Sequence, residues 1–221
     1  MIALKILIAC EFSGIVREAF IRRGFDAISC DLLPTEIPGP HYEGDVFDLI
    51  DTKHYDLMIA HPPCTHLAIS GARHFHMKKM RQKRAVAFVK DLLDSPINHI
   101  ALENPKSVIS TKIRKADQYI QPWMFGHSET KTTGFWLKNL PKLKPTKIME
   151  NRRDNLTPTR QNKQGWTGRP LVVPRNFKNR PIKSGDARWM ERNRTYSGIA
   201  EAMAIQWGNY ITDQPMIQTK F

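Results

Sequence analysis

Cys64 sits in the run His61-Pro62-Pro63-Cys64, directly after the apolar stretch Tyr55–Ala60. A strand that ends in two prolines hands its next residue to a stiff turn, so the thiol is held in one place. Thiolates are strong nucleophiles, and a positive setting makes them from thiols. His61, Arg73 and His74 can supply that setting. A second reactive group follows at Glu103-Asn104-Pro105, after the apolar run His99–Leu102. Cys10 and Cys30 also end apolar runs, but without a proline turn, and a thiol there is expected to serve as a small core hydrophobe. Glu11, Asp31 and Asp45 complete a set of polar residues at or just beyond expected strand ends.

The elements that must carry these residues alternate. Lys5–Cys10 is expected as a strand and Gly14–Gly24 as a helix, with Ile15, Ala19 and Phe20 on its apolar face and Arg17, Glu18, Arg22 and Arg23 on its polar one. Ala27–Cys30, Tyr55–Ala60, His99–Leu102 and Thr133–Lys138 read as further strands, and Gly44–Phe47 as a strand or turn. Helices are expected over about Lys78–Leu93 and over Thr195–Tyr210, where Ile199, Met203 and Trp207 fall at helical spacing. This order predicts an α/β fold with a doubly wound, mainly parallel sheet. In such sheets ligands gather at the carboxyl ends of strands, so one cleft can collect the polar set.

The chain has 221 residues, enough for one sizeable core with a small appendage. Its mean hydropathy is −0.46, and no apolar run approaches the roughly 18 residues of a membrane span. The first residues read as a strand rather than a signal peptide. Three cysteines, an odd number, argue against a disulfide framework and for a reducing cytoplasm. A net charge of +13 points to a polyanionic partner, nucleic acid before membrane. Between Glu150 and Arg194 twelve bases face four acids, which accounts for eight of those charges. Arg152, Arg153, Arg160 and Arg169, with Trp166 among them, suit phosphates and splayed bases, as does Arg73 nearer the thiol.

Taken in order, these residues resemble the cytosine-C5 DNA methyltransferases, in particular short phage-type relatives. Glu11-Phe12-Ser13-Gly14 resembles the family's cofactor loop, Asp31 its ribose-binding acid, and Gly44-Asp45-Val46 its adenine-reading step. Pro62-Pro63-Cys64 with Ser70-Gly71 resembles the catalytic loop, Leu102-Glu103-Asn104 the Glu-Asn-Val motif, and Tyr196-Ser197-Gly198-Ile199-Ala200 the C-terminal motif beside the cofactor. The resemblance implies a Rossmann-like methyltransferase fold that binds S-adenosylmethionine and acts on DNA, single- or double-stranded, in the cytoplasm of the cell or of a phage's host. It implies that Cys64 adds to cytosine C6, that Glu103, protonated or sharing a proton, holds N3, and that Asn104 fixes the loop. Glu11, Phe12, Ser13, Gly14, Asp31, Asp45, Val46, Pro62 and Ser197 are then the cofactor residues. A base must leave its stack to be reached.

The chain departs from the family pattern at several points. Val16 replaces a glycine, Thr65 the glutamine after the cysteine, and Pro105 the valine after Glu-Asn. Where the family carries two arginines that steady the target base, Lys131 is the single base here. The expected layout is a catalytic and cofactor-binding domain over 1–138, a basic target-recognition region over 139–194, and a C-terminal helix over 195–221 packing back. Three other readings compete. A zinc site at His61, Cys64, His66, His74 and His76 lacks the usual spacing and the Pro-Cys-x-x-Cys pair of base deaminases, so no metal is expected. An amino-methyltransferase would need an aromatic where Cys64 stands. A catalytically silent nucleic-acid-binding relative would not need both Cys64 and Glu103.

Overall fold

The buried residues of strand β1 (Lys5–Ala9) point alternately into two cores, Ile6 and Ile8 to one side and Leu7 and Ala9 to the other. A strand apolar on both faces belongs in a parallel sheet covered by helices on both sides. The computed structural model describes residues 3–77, 79–150, 190 and 193–213. Among them a seven-stranded sheet runs in the order β3-β2-β1-β4-β5-β7-β6, built from β2 (Asp26–Asp31), β3 (His41–Glu43), β4 (Leu57–Ala60), β5 (His99–Pro105), β6 (Gln118–Ile120) and β7 (Thr133–Lys138). Strands β1 to β5 are parallel, while β7 is antiparallel to both of its neighbours. The expected doubly wound, mainly parallel sheet is what the chain forms. The order reverses direction between β1 and β4, which places a crevice above their carboxyl ends.

Helices α1 (Ile15–Ile21) and α5 (Ser197–Thr212) cover one face, with Val16, Phe20, Met203 and Trp207 packed on Ile6, Ile59 and Phe135. Helices α2 (Val46–Thr52) and α3 (Lys79–Asp94) cover the other through Leu49, Ile50, Val89 and Leu92, and the short α4 (Ile109–Lys112) adds Ile109. Gly44–Phe47, expected as strand or turn, is instead the start of α2. The Asp45 side chain accepts a hydrogen bond from the Phe47 N–H, an N-cap that turns the apolar run Val46–Ile50 into a helix. The helix at the C-terminal end starts two residues later than expected. No helix of the described residues is long and apolar enough to cross a membrane.

Arg17, expected on the polar face of α1, is fully buried. Its guanidinium donates to Ser29 Oγ at 2.9 Å, Thr35 Oγ1 at 3.2 Å and the carbonyl of Ile37 at 2.6 Å, and pairs with Glu18 at 3.0 Å. These contacts hold the 32–40 loop, which follows β2, against the sheet. Gly14 is part of the same arrangement. Its φ of 75° disfavours a side chain, and a Cβ there would lie 2.7 Å from Arg17 Nη2. Arg17→Ala strands several buried acceptors at once, so a loss of about 3 kcal/mol is expected, with Arg17→Lys failing to restore it because an ammonium lacks the planar fork. Urea unfolding checks this as a lowered midpoint at unchanged slope.

Candidate active site

The carboxyl ends of β1, β2, β4 and β5 open on a cleft of about 430 Å³. Its walls include Glu11, Phe12, Ser13, Asp31, Pro62, Cys64, Glu103, Asn104 and Lys131, all expected site residues. Gly14, Asp45, Val46 and Ser197 do not line it. Gly14 and Asp45 act as helix N-caps, Val46 is buried in the α2 core, and Ser197 is exposed at the start of α5. Arg152, Arg153, Arg160, Trp166 and Arg169 lie outside the described residues, as does the side chain of Arg73.

Two strand ends set the centre of the cleft. β4 stops at Ala60, paired with Leu102, whereas β5 runs three residues further beside β7. The overhanging Glu103, Asn104 and Pro105 therefore have no β4 partner, and the turn after β4 fills the gap. Asn104 Nδ2 donates to the Pro62 carbonyl at 2.9 Å, and the Asn104 side chain is buried. Beyond Cys64 the chain turns sharply, with the N–H groups of Leu67 and Ala68 both donating to the Cys64 carbonyl at 2.9 Å. Ala68 then bridges to Ser107, and Val108 N–H bonds the Leu67 carbonyl at 2.9 Å. The thiol loop is thus anchored before and after Cys64 to the segment that carries Glu103.

Glu103 faces His61 and Lys131. His61 Nδ1 lies 3.3 Å from Glu103 Oε2. Burial pushes the Glu103 carboxyl up, but the His61 hydrogen bond and the charges of His61 and Lys131 prevail and hold it below the usual carboxylate range. The sequence reading expected Glu103 protonated or sharing a proton, and the His61 ring is the group within reach to share one. Lys131 is set by its own N–H, which bonds Gln121 Oε1 at 2.9 Å, and its ammonium lies 5.9 Å from the centre of the Tyr196 ring.

The opposite end of the cleft is built by β1 and β2. Glu11 does not offer its carboxylate outward. It is buried and accepts from the N–H of Val16 at 2.7 Å, the N–H of Arg17 at 3.3 Å and Ser13 Oγ at 3.0 Å. The start of α1 therefore carries its own anion, which leaves a phosphate no N–H groups to bind there. Phe12 is buried beside it, and its carbonyl accepts from Glu36 N–H at 2.8 Å. Burial pushes the Asp31 carboxyl above its ordinary value, while the N–H of Leu33 and the charges of His41 and His61 pull the other way. Burial also lifts the Cys10 thiol far above its usual range and the Cys30 thiol to about 12, with Asp31 adding to both.

Other parts of the wall were not singled out from the sequence: Asn193 and Thr195 close one side, just ahead of α5. A glycine is needed at 198 because a Cβ there would lie 1.9 Å from the Phe125 carbonyl oxygen, and Gly198 N–H bonds His127 Nε2 at 3.0 Å. No group of three or more His, Cys, Asp or Glu converges as a metal site among the described residues. His61, counted in the candidate zinc set, is engaged with Glu103 instead.

No family model matches this sequence, and neither does any curated protein. Solved structures do show similarity. One is a prophage-encoded E. coli protein assigned as a DNA modification methyltransferase, 15% identical, with a TM-score of 0.44 over 66% of this chain and 52% of that one. Another is the Entamoeba histolytica methyltransferase EhMeth, at 16% identity and a TM-score of 0.43, over 67% and 58%. A third is a mutant of Spodoptera frugiperda DNMT2, at 15% and 0.40, over 66% and 54%. These three solved structures are methyltransferases. The chain spans little more than half the length of each, and the functional reading below rests on the geometry of its own cleft.

Cys30 is buried while Cys10 and Cys64 are both half-buried, and burial with Asp31 nearby disfavours the thiolate at Cys10 and Cys30. A small alkylating reagent at pH 8 is expected to label Cys64, while Cys10 and Cys30 stay unmodified until the protein is unfolded, which peptide mass spectrometry checks.

Proposed function

We propose that this protein transfers a methyl group from S-adenosylmethionine to C5 of cytosine in DNA through a covalent adduct with Cys64. The observation that carries the reading is the juxtaposition of a proline-set thiol and an overhanging Glu103-Asn104 pair, stitched by the Asn104–Pro62 hydrogen bond, at one end of a cleft. A thiol and a carboxyl side by side suit a pyrimidine, whose C6 accepts a nucleophile only when N3 is engaged. Charge supports a polyanionic substrate. From Leu57 to Lys90, around and beyond the thiol loop, there are seven Lys or Arg and no Asp or Glu. Lys79, Arg81, Lys83 and Arg84 on α3 are all exposed.

The residues present also fit the cofactor. Asp31, at the end of β2, is placed to accept hydrogen bonds from ribose hydroxyls, as an acid does in doubly wound nucleotide sites. The self-capped start of α1 favours a ligand with no phosphate, and the cleft volume of about 430 Å³ is in the range of small-molecule sites. Phe12 supplies an apolar wall. When bound, S-adenosylmethionine supplies an electrophilic methyl group.

The chain's own residues do the rest. The Cys64 thiolate forms a bond to C6, the C5=C6 electrons shift toward C4, and N3 takes a proton from the Glu103 side. Glu103 holds N3 and the exocyclic amine, and Asn104 keeps the thiol loop in register with it. Lys131 stands where positive charge steadies both Glu103 and the base. After C5 has accepted the methyl group, a solvent water takes the C5 proton, the C5–H electrons restore the C5=C6 bond, and the C6–S bond breaks to release the Cys64 thiolate.

Incubation with labelled cofactor and DNA is expected to yield 5-methylcytosine on nucleoside mass spectrometry. Cys64→Ser is expected to lower the rate at least about 1,000-fold, close to 4 kcal/mol of barrier. DNA containing 5-fluorocytosine is expected to stay bonded to Cys64, because fluorine at C5 blocks the elimination; normal turnover by Cys64→Ser defeats the mechanism. Asp31→Asn is expected to weaken cofactor binding about tenfold in calorimetry, the scale of one charge-assisted hydrogen bond.

A further inference from the structure

His61 was weighed from the sequence as a partner for the thiol, and its ring also meets the Glu103 carboxyl. The strand ladder fixes it, since its backbone N–H donates to the Ala9 carbonyl at 2.9 Å. The side chain is only 8% exposed. Its Nδ1 faces Glu103 Oε2 at 3.3 Å, and its Nε2 is buried with no hydrogen-bond partner among the described residues. The His61 residue borders the cleft, while that nitrogen itself is shut off from solvent. The ionisable groups that line the same cleft are Glu103 at the end of β5, Asp31 at the end of β2, Cys10 and Glu11 at the end of β1, Cys64 on the loop of His61, and Lys131 ahead of β7. Of these, Glu103 meets the ring directly, Asp31 interacts with it electrostatically, and the ammonium of Lys131 acts on Glu103.

On the methyl-transfer reading Glu103 is the group that meets N3, and the His61 ring nitrogen 3.3 Å away favours its carboxylate form, as the charge of Lys131 does. We propose that His61 is a positioning residue that stores the proton Glu103 needs and passes it to Glu103 as the base enters. The assignment rests on the methyl-transfer reading above. The step balances. As the Cys64 thiolate bonds to C6, the electrons of C5=C6 form C4=C5 and those of N3=C4 become a lone pair on N3. That lone pair takes the proton from Glu103, whose carboxylate takes the Nδ1 proton of His61. His61 is left as a neutral imidazole. The proton returns by the same route when N3 is deprotonated.

The pair is therefore active only while it keeps its last proton. Activity is full at pH values below the loss of that proton and falls as the pH rises through it. In His61→Gln the amide can still donate to Glu103 but stores no proton, so Glu103 must draw one from solvent. The alkaline fall is then expected at lower pH, where Glu103 alone gives up its proton.

The test compares pH profiles of kcat and KM on DNA for the wild type and His61→Gln. At pH 8 the variant is expected to lose about 100-fold in kcat, the usual scale of general acid catalysis, with KM for DNA nearly unchanged. The gap closes as the pH falls. A titration of the His61 ring by 15N NMR, which needs no turnover, is expected to move to lower pH in Glu103→Gln, because the carboxylate partner of the imidazolium is gone. Superimposable pH profiles for an active wild type and variant, or a His61 titration that ignores Glu103→Gln, overturn the assignment alone. A wild type that transfers no label to any cytosine-containing DNA overturns the methyl-transfer reading itself.

Discussion

The hydrogen bond from Asn104 Nδ2 to the Pro62 carbonyl joins two strand ends that the sheet by itself would leave apart. β5 outruns β4 by three residues, and this overhang gives Asn104 a backbone carbonyl to hold in place of a strand neighbour. The His61 contact with Glu103, the placement of Cys64 and the anchoring of its loop to Ser107 all follow from that stitch. An asparagine is suited to the task because its amide donates without adding a charge next to the Glu103 carboxyl. The unmatched strand length is therefore what converts a regular sheet edge into a site.

The far end of the cleft is organised differently. Glu11 and Arg17 are both buried charges that spend their hydrogen-bonding capacity inside the chain, Glu11 on the start of α1 and Arg17 on the 32–40 loop. Neither is free to bind a ligand. Their work is to fix the positions of Phe12 and Asp31, which face the cleft. Buried ionic groups stabilise little by themselves once desolvation is counted, but each is costly to strand. That asymmetry makes the loop geometry around this end of the cleft all-or-none.

Much of this was legible in the sequence, and the failures have physical causes. The strands carrying Cys64 and Glu103 announced themselves as apolar runs ending in polar or proline residues, and the parallel fold followed from the alternation of strands and helices. The three-residue strands β3 and β6 were too short for any periodicity to show. Gly44–Phe47 was misread because the Asp45 cap, not the propensity of the run, decides that α2 begins there. Arg17 looked solvated because a helical wheel knows nothing of the loop that folds over it. Glu11 does line the cleft as expected, but its carboxylate partners are N–H groups of the next helix, which a side-chain pattern does not show. His61 was recognised as titratable, but only the β4–β5 register shows which neighbour its ring meets.

The loop of Cys64 is closed on itself through Leu67 and Ala68 and tied to the β5 side at Ser107 and Val108. A thiol held so firmly has little freedom left to travel. If it attacks a base in DNA, as proposed, the adjustment on approach falls on the nucleic acid, whose base must swing out at a cost of a few kcal/mol. On the proposed reading, the ease with which a cytosine leaves its stack would then govern which cytosines are modified fastest. Mismatched, frayed or single-stranded positions would go first, and the protein would read the mechanical weakness of DNA as much as its letters.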